Sequence, residues 1–242
     1  ALSVTIKEHE SGNEMETNNE FESSNSFTST ISGKINSKED RDIFLYQGEN
    51  GPGLYRIELR CPDDMDGILT LYTNDREKIM DINGGGKGKR EVYPNFYSEK
   101  DFYVAVTARS ADRVPADEYI LTVSPLTHAD NQEREPNNEL SMANKIAGKS
   151  IYGFTSFRGD KDYFMLAYDT RMKQKFEIQG PRGGSIKVSV TDPLGFIIKS
   201  IDVQGDRKVV FSEMIDKKGY LIVEAVAENF DNPYAVKFRG VQ

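Results

Sequence analysis

The stretch Ser185-Ile186-Lys187-Val188-Ser189-Val190 alternates polar and apolar residues and then meets the turn-forming Asp192-Pro193-Leu194-Gly195. A period of two places the isoleucine and valines on one face of an extended chain, as in a half-buried strand. The same pattern recurs on either side. Candidate strands lie upstream at 163–167 and 175–178, and downstream at 196–203, 208–211, 220–226 and 234–238. Gly180-Pro181, Gly205-Asp206, Lys218-Gly219 and Asp231-Asn232-Pro233 separate them. The N-terminal half reads alike over 55–59, 68–73, 78–82, 102–108 and 119–123. Short strands broken by turn residues every 8–12 positions or so predict an all-β sandwich or barrel. Only the segment from Asn138 to Ile146, and its counterpart in the first half, suggests a helical turn or two, with an asparagine as the cap.

The chain repeats itself. Glu14-Met15-Glu16-Thr17-Asn18-Asn19 matches Glu133-Arg134-Glu135-Pro136-Asn137-Asn138 at an offset of 119, as do Glu20 with Glu139 and Asn25 with Asn144. At an offset of 120, Gly33 matches Gly153, Asp40 matches Asp160, Asp42 matches Asp162 and Phe44 matches Phe164. A repeat this long is a whole domain rather than a solenoid unit. The expectation is two tandem β-sandwiches, jelly-roll-like, over 14–124 and 133–242. A linker over 125–132 joins them, and an extension over 1–13 contributes a strand near 2–6, either an extra one or the last strand of a preceding repeat.

Composition narrows the function. Lys plus Arg is 31 and Asp plus Glu 39, a net charge of −8, which repels a phosphate backbone and argues against nucleic acid as a partner. No apolar run approaches the roughly 20 residues of a membrane helix. The single cysteine, Cys61, allows no internal disulfide and no cysteine-rich zinc site. The two histidines, His9 and His128, fall in polar stretches, and no G-x-S-x-G occurs. No leader-like segment opens the chain, which fits a mature exported protein.

The acidic block has its own logic. In an extended chain Glu133, Glu135 and Asn137 project to one side, about 6.6 Å apart along the backbone. Pro136 disfavours helix at Glu135 and keeps the entry extended. Carboxylates and amide oxygens gathered on one side repel one another unless a cation lies among them. A donor set of oxygens alone favours Ca²⁺ over Mg²⁺, which wants a strict octahedron. Asp160, on a loop before a strand, is expected to complete the site; Asp162 either joins it or braces the loop. The first copy offers Glu14, Glu16, Asn18, Asn19, Asp40 and Asp42, with Thr17 in place of the proline. Acidic linkers are often simply solvated, and Asn pairs often only cap or turn. The recurrence of both blocks in register favours the ion.

Glu133-x-Glu135-Pro136-Asn137-Asn138, followed by Gly153 and Gly159-Asp160-Lys161-Asp162-Tyr163-Phe164, resembles the bacterial pre-peptidase C-terminal domain and its relative, the collagen-binding domain of clostridial collagenases. The resemblance covers nearly the whole chain as two copies, and Thr17 departs from it. It implies β-sandwiches on secreted bacterial proteins, often behind a protease. It also implies calcium ligands at Glu133, Glu135, Asn137, Asn138 and Asp160, and at Glu14, Glu16, Asn18, Asn19 and Asp40. No motif anchors the family's collagen contacts in this chain.

Other features carry less. Gly84-Gly85-Gly86-Lys87-Gly88-Lys89-Arg90 lacks the spacing and the Ser or Thr of a phosphate loop and reads as a hairpin loop. Asp63-Asp64-Met65-Asp66-Gly67 lacks EF-hand spacing and reads as a turn. Cys61 reads as a small residue near a strand end. Tyr93, Phe96 and Tyr97, and Tyr152, Phe154 and Phe157, read as packing rather than a glycan platform. The expectation is therefore a non-catalytic, calcium-stabilised accessory protein, secreted, periplasmic or at the bacterial surface. Its partner would be an extracellular polymer or protein: collagen-like, a glycan, or a protease domain. The alternatives are a glycoside hydrolase using Glu14 with Glu16 or Glu133 with Glu135, and a structural spacer of a larger surface protein.

Overall fold

The computed structural model describes residues 12–48, 52–109, 115–127, 129–146, 150–227 and 229–241. The expected strand at 2–6 and both histidines, His9 and His128, lie outside the described residues. The described chain is almost wholly β. Its first half carries β1 (Asn25–Phe27), β2 (Thr30–Gly33), β3 (Asp42–Tyr46), β4 (Gly53–Arg60), β5 (Gly67–Tyr72), β6 (Lys78–Ile82), β7 (Glu91–Ser98), β8 (Phe102–Ala108) and β9 (Tyr119–Leu126). The second half carries β10 (Asn144–Lys145), β11 (Ser150–Thr155), β12 (Lys161–Ala167), β13 (Met172–Gln179), β14 (Ser185–Thr191), β15 (Ile197–Gln204), β16 (Lys208–Ile215), β17 (Lys218–Ala225) and β18 (Asn229–Val241).

The strands form four sheets, ordered β1-β3-β8-β5-β6 and β2-β9-β4-β7, then β10-β12-β17-β14-β15 and β11-β18-β13-β16. The second pair repeats the first strand for strand, and the result is two sandwiches of one topology. Each contains a short parallel pairing, Asn25 opposite Phe44 and Asn144 opposite Phe164. Among the described residues, one compact unit takes those up to Gly53 with Ile57–Val92 and Ser98–Ser124. The other takes Leu54–Arg56, Tyr93–Tyr97 and those from Pro125 onward. The second unit thus includes the middle of β7, because the backbone of that stretch bonds to the acidic block. Glu135 N–H donates to the Asn95 carbonyl at 2.8 Å, and Tyr97 N–H donates to the Glu135 carbonyl at 2.8 Å.

Alternation explains each core. In the second unit Phe164, Phe176, Ile178, Val188, Val190, Leu221, Val223 and Val236 are at most 1% exposed. In the first, Ile43, Leu69, Leu71, Val104, Val106 and Leu121 are fully buried. Each such side chain favours the fold by about 1.5–3 kcal/mol relative to exposure. β14 pairs with β15 and β17, with Val188 opposite Ile201 and Val223.

Several expectations need correction. The helical segment is one 3₁₀ turn, Leu140–Met142, matched by Phe21–Ser23. Glu139 and Glu20 stand at the caps and neither makes a side-chain cap bond, so the asparagines do not cap. Asn144 already pairs with β12, and this draws the chain back to extended form after a single turn. β7 contains Pro94 and does not alternate in burial; as an edge strand it tolerates the missing N–H. The Gly84–Arg90 segment is not a hairpin loop, because it joins β6 in one sheet to β7 in another. Its Gly84 and Gly85 N–H groups donate to the Glu91 carboxylate at 2.8 and 2.9 Å, so the chain's own acid fills the place an anion would take.

Candidate metal centres

The second unit holds four buried acids in one place. Glu133, Glu135 and Asn137 are 0%, 1% and 0% exposed, while Arg134 between them is exposed. Asn144, the residue matched by Asn25, fixes this entry. Its Oδ1 accepts from the Arg134 N–H at 2.7 Å and its Nδ2 donates to the Arg134 carbonyl at 3.0 Å. Asn25 does the same for Met15 at 2.6 and 3.2 Å. The Glu135–Pro136 and Glu16–Thr17 peptide bonds are both cis. Asn137 is tied to β12 through its carbonyl, which accepts from Tyr163 N–H at 3.0 Å.

Asp160 sits on the loop before β12. Gly159, with φ +84°, makes the turn that a side chain would resist, and the Asp160 carbonyl accepts from Ala225 N–H at 2.8 Å. Ser156 N–H donates to Asp160 Oδ2 at 2.7 Å. Asp162 follows on β12, and its Oδ2 accepts from the Tyr234 hydroxyl at 2.6 Å.

Three carboxylates, Glu133, Glu135 and Asp162, bring oxygens within 4.8 Å of one another. The tight trio therefore contains Asp162, where the sequence favours Asp160. The strand geometry is the reason: Asp162 points inward from β12 opposite Tyr234, whereas Asp160 is held by its own loop. Glu133 is fully partnered. It accepts from Phe154 N–H at 2.6 Å, Asn95 Nδ2 at 3.0 Å and the Tyr234 hydroxyl at 2.9 Å. Glu135 Oε2 accepts from the Tyr93 hydroxyl at 3.2 Å and from Asn137 N–H at 2.8 Å.

The opposite oxygens have no donor. Glu135 Oε1, Asn137 Oδ1, Asn138 Oδ1, Asp160 Oδ1 and Asp162 Oδ1 are all buried without a hydrogen-bond partner. Leaving a buried acceptor unsatisfied costs about 1–3 kcal/mol, and more when it is charged. Among the described residues no lysine or arginine forms an ion pair with any of the four acids. Desolvation raises Glu135 and Asp162 well above the usual carboxylate range, with further push from neighbouring carboxylates. Burial likewise raises Glu133 to about 8 and Asp160 to about 6. A cluster of this kind must take up protons or hold a cation.

Gly153, matched by Gly33, is required by packing. A Cβ there would lie 1.8 Å from Glu133 Oε2, and one on Gly33 would lie 2.4 Å from Glu14 Oε2.

The first unit repeats the frame in a more open form. Glu14, Glu16 and Asp42 bring oxygens within 4.8 Å of one another, with Glu14 half-buried, Glu16 exposed and Asp42 buried. Tyr119 donates to Asp42 Oδ2 at 2.6 Å, Lys34 N–H to Glu14 Oε1 at 2.5 Å, and Asn36 N–H to Asp40 Oδ2 at 2.5 Å. With the amides oriented to satisfy both ends, Asn18 Nδ2 donates to Asp42 Oδ1 at 3.0 Å and to Glu16 Oε2 at 3.2 Å, and Asn19 Nδ2 donates to Asp40 Oδ1 at 3.1 Å. Asp42 is raised to about 8 by burial, and Glu14 is raised for the same reason.

The tyrosines and the two clamping asparagines are the residues that sequence reasoning missed. Asn25 and Asn144 did carry a signal, their shared offset. Tyr93, Tyr119, Tyr234 and Asn95 carry none, since they are distant in sequence from the acids they serve. Tyr93 and Phe96 are buried as the packing expectation has it, but the Tyr93 hydroxyl also holds Glu135. Cys61 is half-buried, and burial pushes its thiol up to about 11.

The donor set tests which metal fits. All five orphaned atoms are oxygens, from carboxylates and amides. The trio's oxygens lie within 4.8 Å of one another, close enough to share one ion, and an all-oxygen donor set suits a hard cation such as Ca²⁺. No helix among the described residues is long and apolar enough to cross a membrane.

No family model matches the chain, and no curated protein matches it. Among solved structures the chain is similar to the PBSX exported protein XepA, at 11% identity and TM-score 0.28, over 88% of this chain and 85% of that one. It is also similar to an isomalto-dextranase of Arthrobacter globiformis complexed with panose, at 10% identity and TM-score 0.21, over 86% of this chain and 34% of that one. A third is the CBM22-1–CBM22-2 tandem domain of Paenibacillus barcinonensis Xyn10C, at 9% identity and TM-score 0.20, over 81% of this chain and 82% of that one.

Proposed function

We propose that the chain is a non-catalytic binding module of an exported bacterial protein, stabilised by calcium in each sandwich and akin to tandem pre-peptidase C-terminal domains. The observation that carries this reading is the set of five buried, donorless oxygens from Glu135, Asn137, Asn138, Asp160 and Asp162. A hard dication held among Glu133, Glu135 and Asp162 would offset the crowded charge and remove the need for protons on these acids. Glu133 orients the set without a donorless oxygen of its own. Calcium modules outside cells bind at about 10⁻⁴–10⁻³ M, so a modest site suffices there. In the first unit, Glu14, Glu16 and Asp42 form the matching trio, with Asn18, Asn19 and Asp40 beside it.

A catalytic role for the second pair of acids fits less well. Glu133 and Glu135 are 0% and 1% exposed, so a sugar ring has no access to them. The test is calorimetric titration with calcium and with magnesium after chelation, followed by anomalous diffraction from calcium-grown crystals. The expected result is calcium bound in preference to magnesium, with density among these oxygens. No heat with either ion, and no density, would end the proposal.

A further inference from the structure

On the outer face of the sheet β11-β18-β13-β16, cations face cations. Lys175 on β13 stands directly opposite Arg239 on β18, and Lys237 stands opposite Glu177. Lys173 continues the row on β13, and Lys208 on β16 is opposite Gln179. Among the described residues, five cations thus share the face with one carboxylate, in a chain whose net charge is −8. Glu177 is already engaged, by Lys208 at 3.0 Å and Lys175 at 3.8 Å. Lys173, Lys237 and Arg239 have no ion pair among the described residues. Like charges directly opposite in a ladder are destabilising, so this placement costs stability in the free protein.

The other sandwich carries only part of the feature: on β4, Arg56 and Glu58 match Lys175 and Glu177 at an offset of 119, and Arg60 and Arg90 pair with Glu58 at 2.8 and 3.6 Å, but the cations of β18 have no counterpart on β9. Tyr119 and Tyr234 hold equivalent acids, Asp42 and Asp162. Three and five residues beyond Tyr234 come Lys237 and Arg239; three and five beyond Tyr119 come Thr122 and Ser124. The fold therefore does not demand the two cations of β18. The face also carries exposed apolar side chains, Val210 and Met214, and a shallow groove of about 220 Å³ lies along Lys175, Lys237 and Arg239. Cations spaced along a flat face, with apolar spots for sugar C–H groups, suit a linear chain with regularly spaced anions.

We propose that this face docks a linear anionic polysaccharide, one bearing carboxylate or sulfate groups. The inference names the partner class of the binding module proposed above, but it does not depend on calcium. Binding of the full chain is measured by calorimetry against polygalacturonate, dextran sulfate and neutral dextran, at low and high salt. Polygalacturonate and dextran sulfate separate carboxylate from sulfate recognition. The expected result is binding to at least one of these two, weakened by salt, and none to neutral dextran. K175E combined with R239E is expected to weaken it by at least about tenfold, as reversal of charges at a binding face does. The milder K175Q with R239Q is the second variant, and its melting temperature reports folding. Equal affinity of the variants and the wild type, or binding to neutral dextran alone, overturns the proposal. So does binding to duplex DNA or anionic vesicles with neither polysaccharide bound. A melting curve indifferent to calcium would count against the metal sites and leave this result standing.

Discussion

Asp162→Asn separates a metal ligand from a structural carboxylate. In the wild type one oxygen of Asp162 accepts from Tyr234 at 2.6 Å and the other is buried without a donor. Asparagine has nearly the same shape and can still accept from Tyr234, but it brings an amide in place of one of four anions. In chelator the substitution replaces an acid that burial and its neighbours force to take up a proton, so the variant is expected to melt at or above the wild-type temperature. In calcium the order reverses. At a calcium concentration a hundredfold above the dissociation constant, binding adds about 2.7 kcal/mol to the wild type. Affinity follows ligand charge. A hundredfold loss puts the variant at its own dissociation constant, where the gain is about 0.4 kcal/mol. For a unit of this size 1 kcal/mol moves the midpoint by about 4 °C. The wild type should therefore gain about 10 °C from calcium and the variant about 2 °C, read by differential scanning calorimetry. Equal calcium increments in the two proteins would refute the assignment, as would a variant destabilised equally with and without calcium.

The chelated protein should lose stability as pH rises from about 4.5 to about 8. Its folded state keeps protons on raised acids such as Glu133 that the unfolded chain has released, so stability falls where the folded state binds more protons. With calcium bound the acids are already ionised, and the calcium increment should grow over the same window; urea melts at several pH values check both slopes. Tyr234→Phe removes the donor shared by Asp162 and Glu133 and should cost about 1–3 kcal/mol by denaturant titration, more in chelator than in calcium. Asn144→Ala should cost about 1–2 kcal/mol, since it frees both the N–H and the carbonyl of Arg134, and calcium affinity measured by calorimetry should fall with it. Gly153→Ala should destabilise its unit by about 1–3 kcal/mol or more, because the new methyl meets the Glu133 carboxylate; a thermal melt unchanged from wild type would contradict that packing.

The sequence by itself determined the β-class and the doubling. Both are written in local order: a period of two that sets one face inward, turn residues that break the runs, and offsets of 119 and 120 that carry Gly33 to Gly153 and Asp42 to Asp162. It also marked the acids, because alternate residues of an extended chain share a side, as Glu133, Glu135 and Asn137 do. Alternation could not find β7, which is buried along most of its length, or β10, which is two residues long. The tertiary structure alone decided which oxygens converge and which are already satisfied. Asp162 enters the trio because β12 turns it toward Tyr234, while Glu133 is saturated by Asn95, Phe154 and Tyr234. Those donors lie from 21 to 101 residues away from Glu133 along the chain. Hydrogen bonding and desolvation depend on proximity in space, which no local pattern of residues encodes.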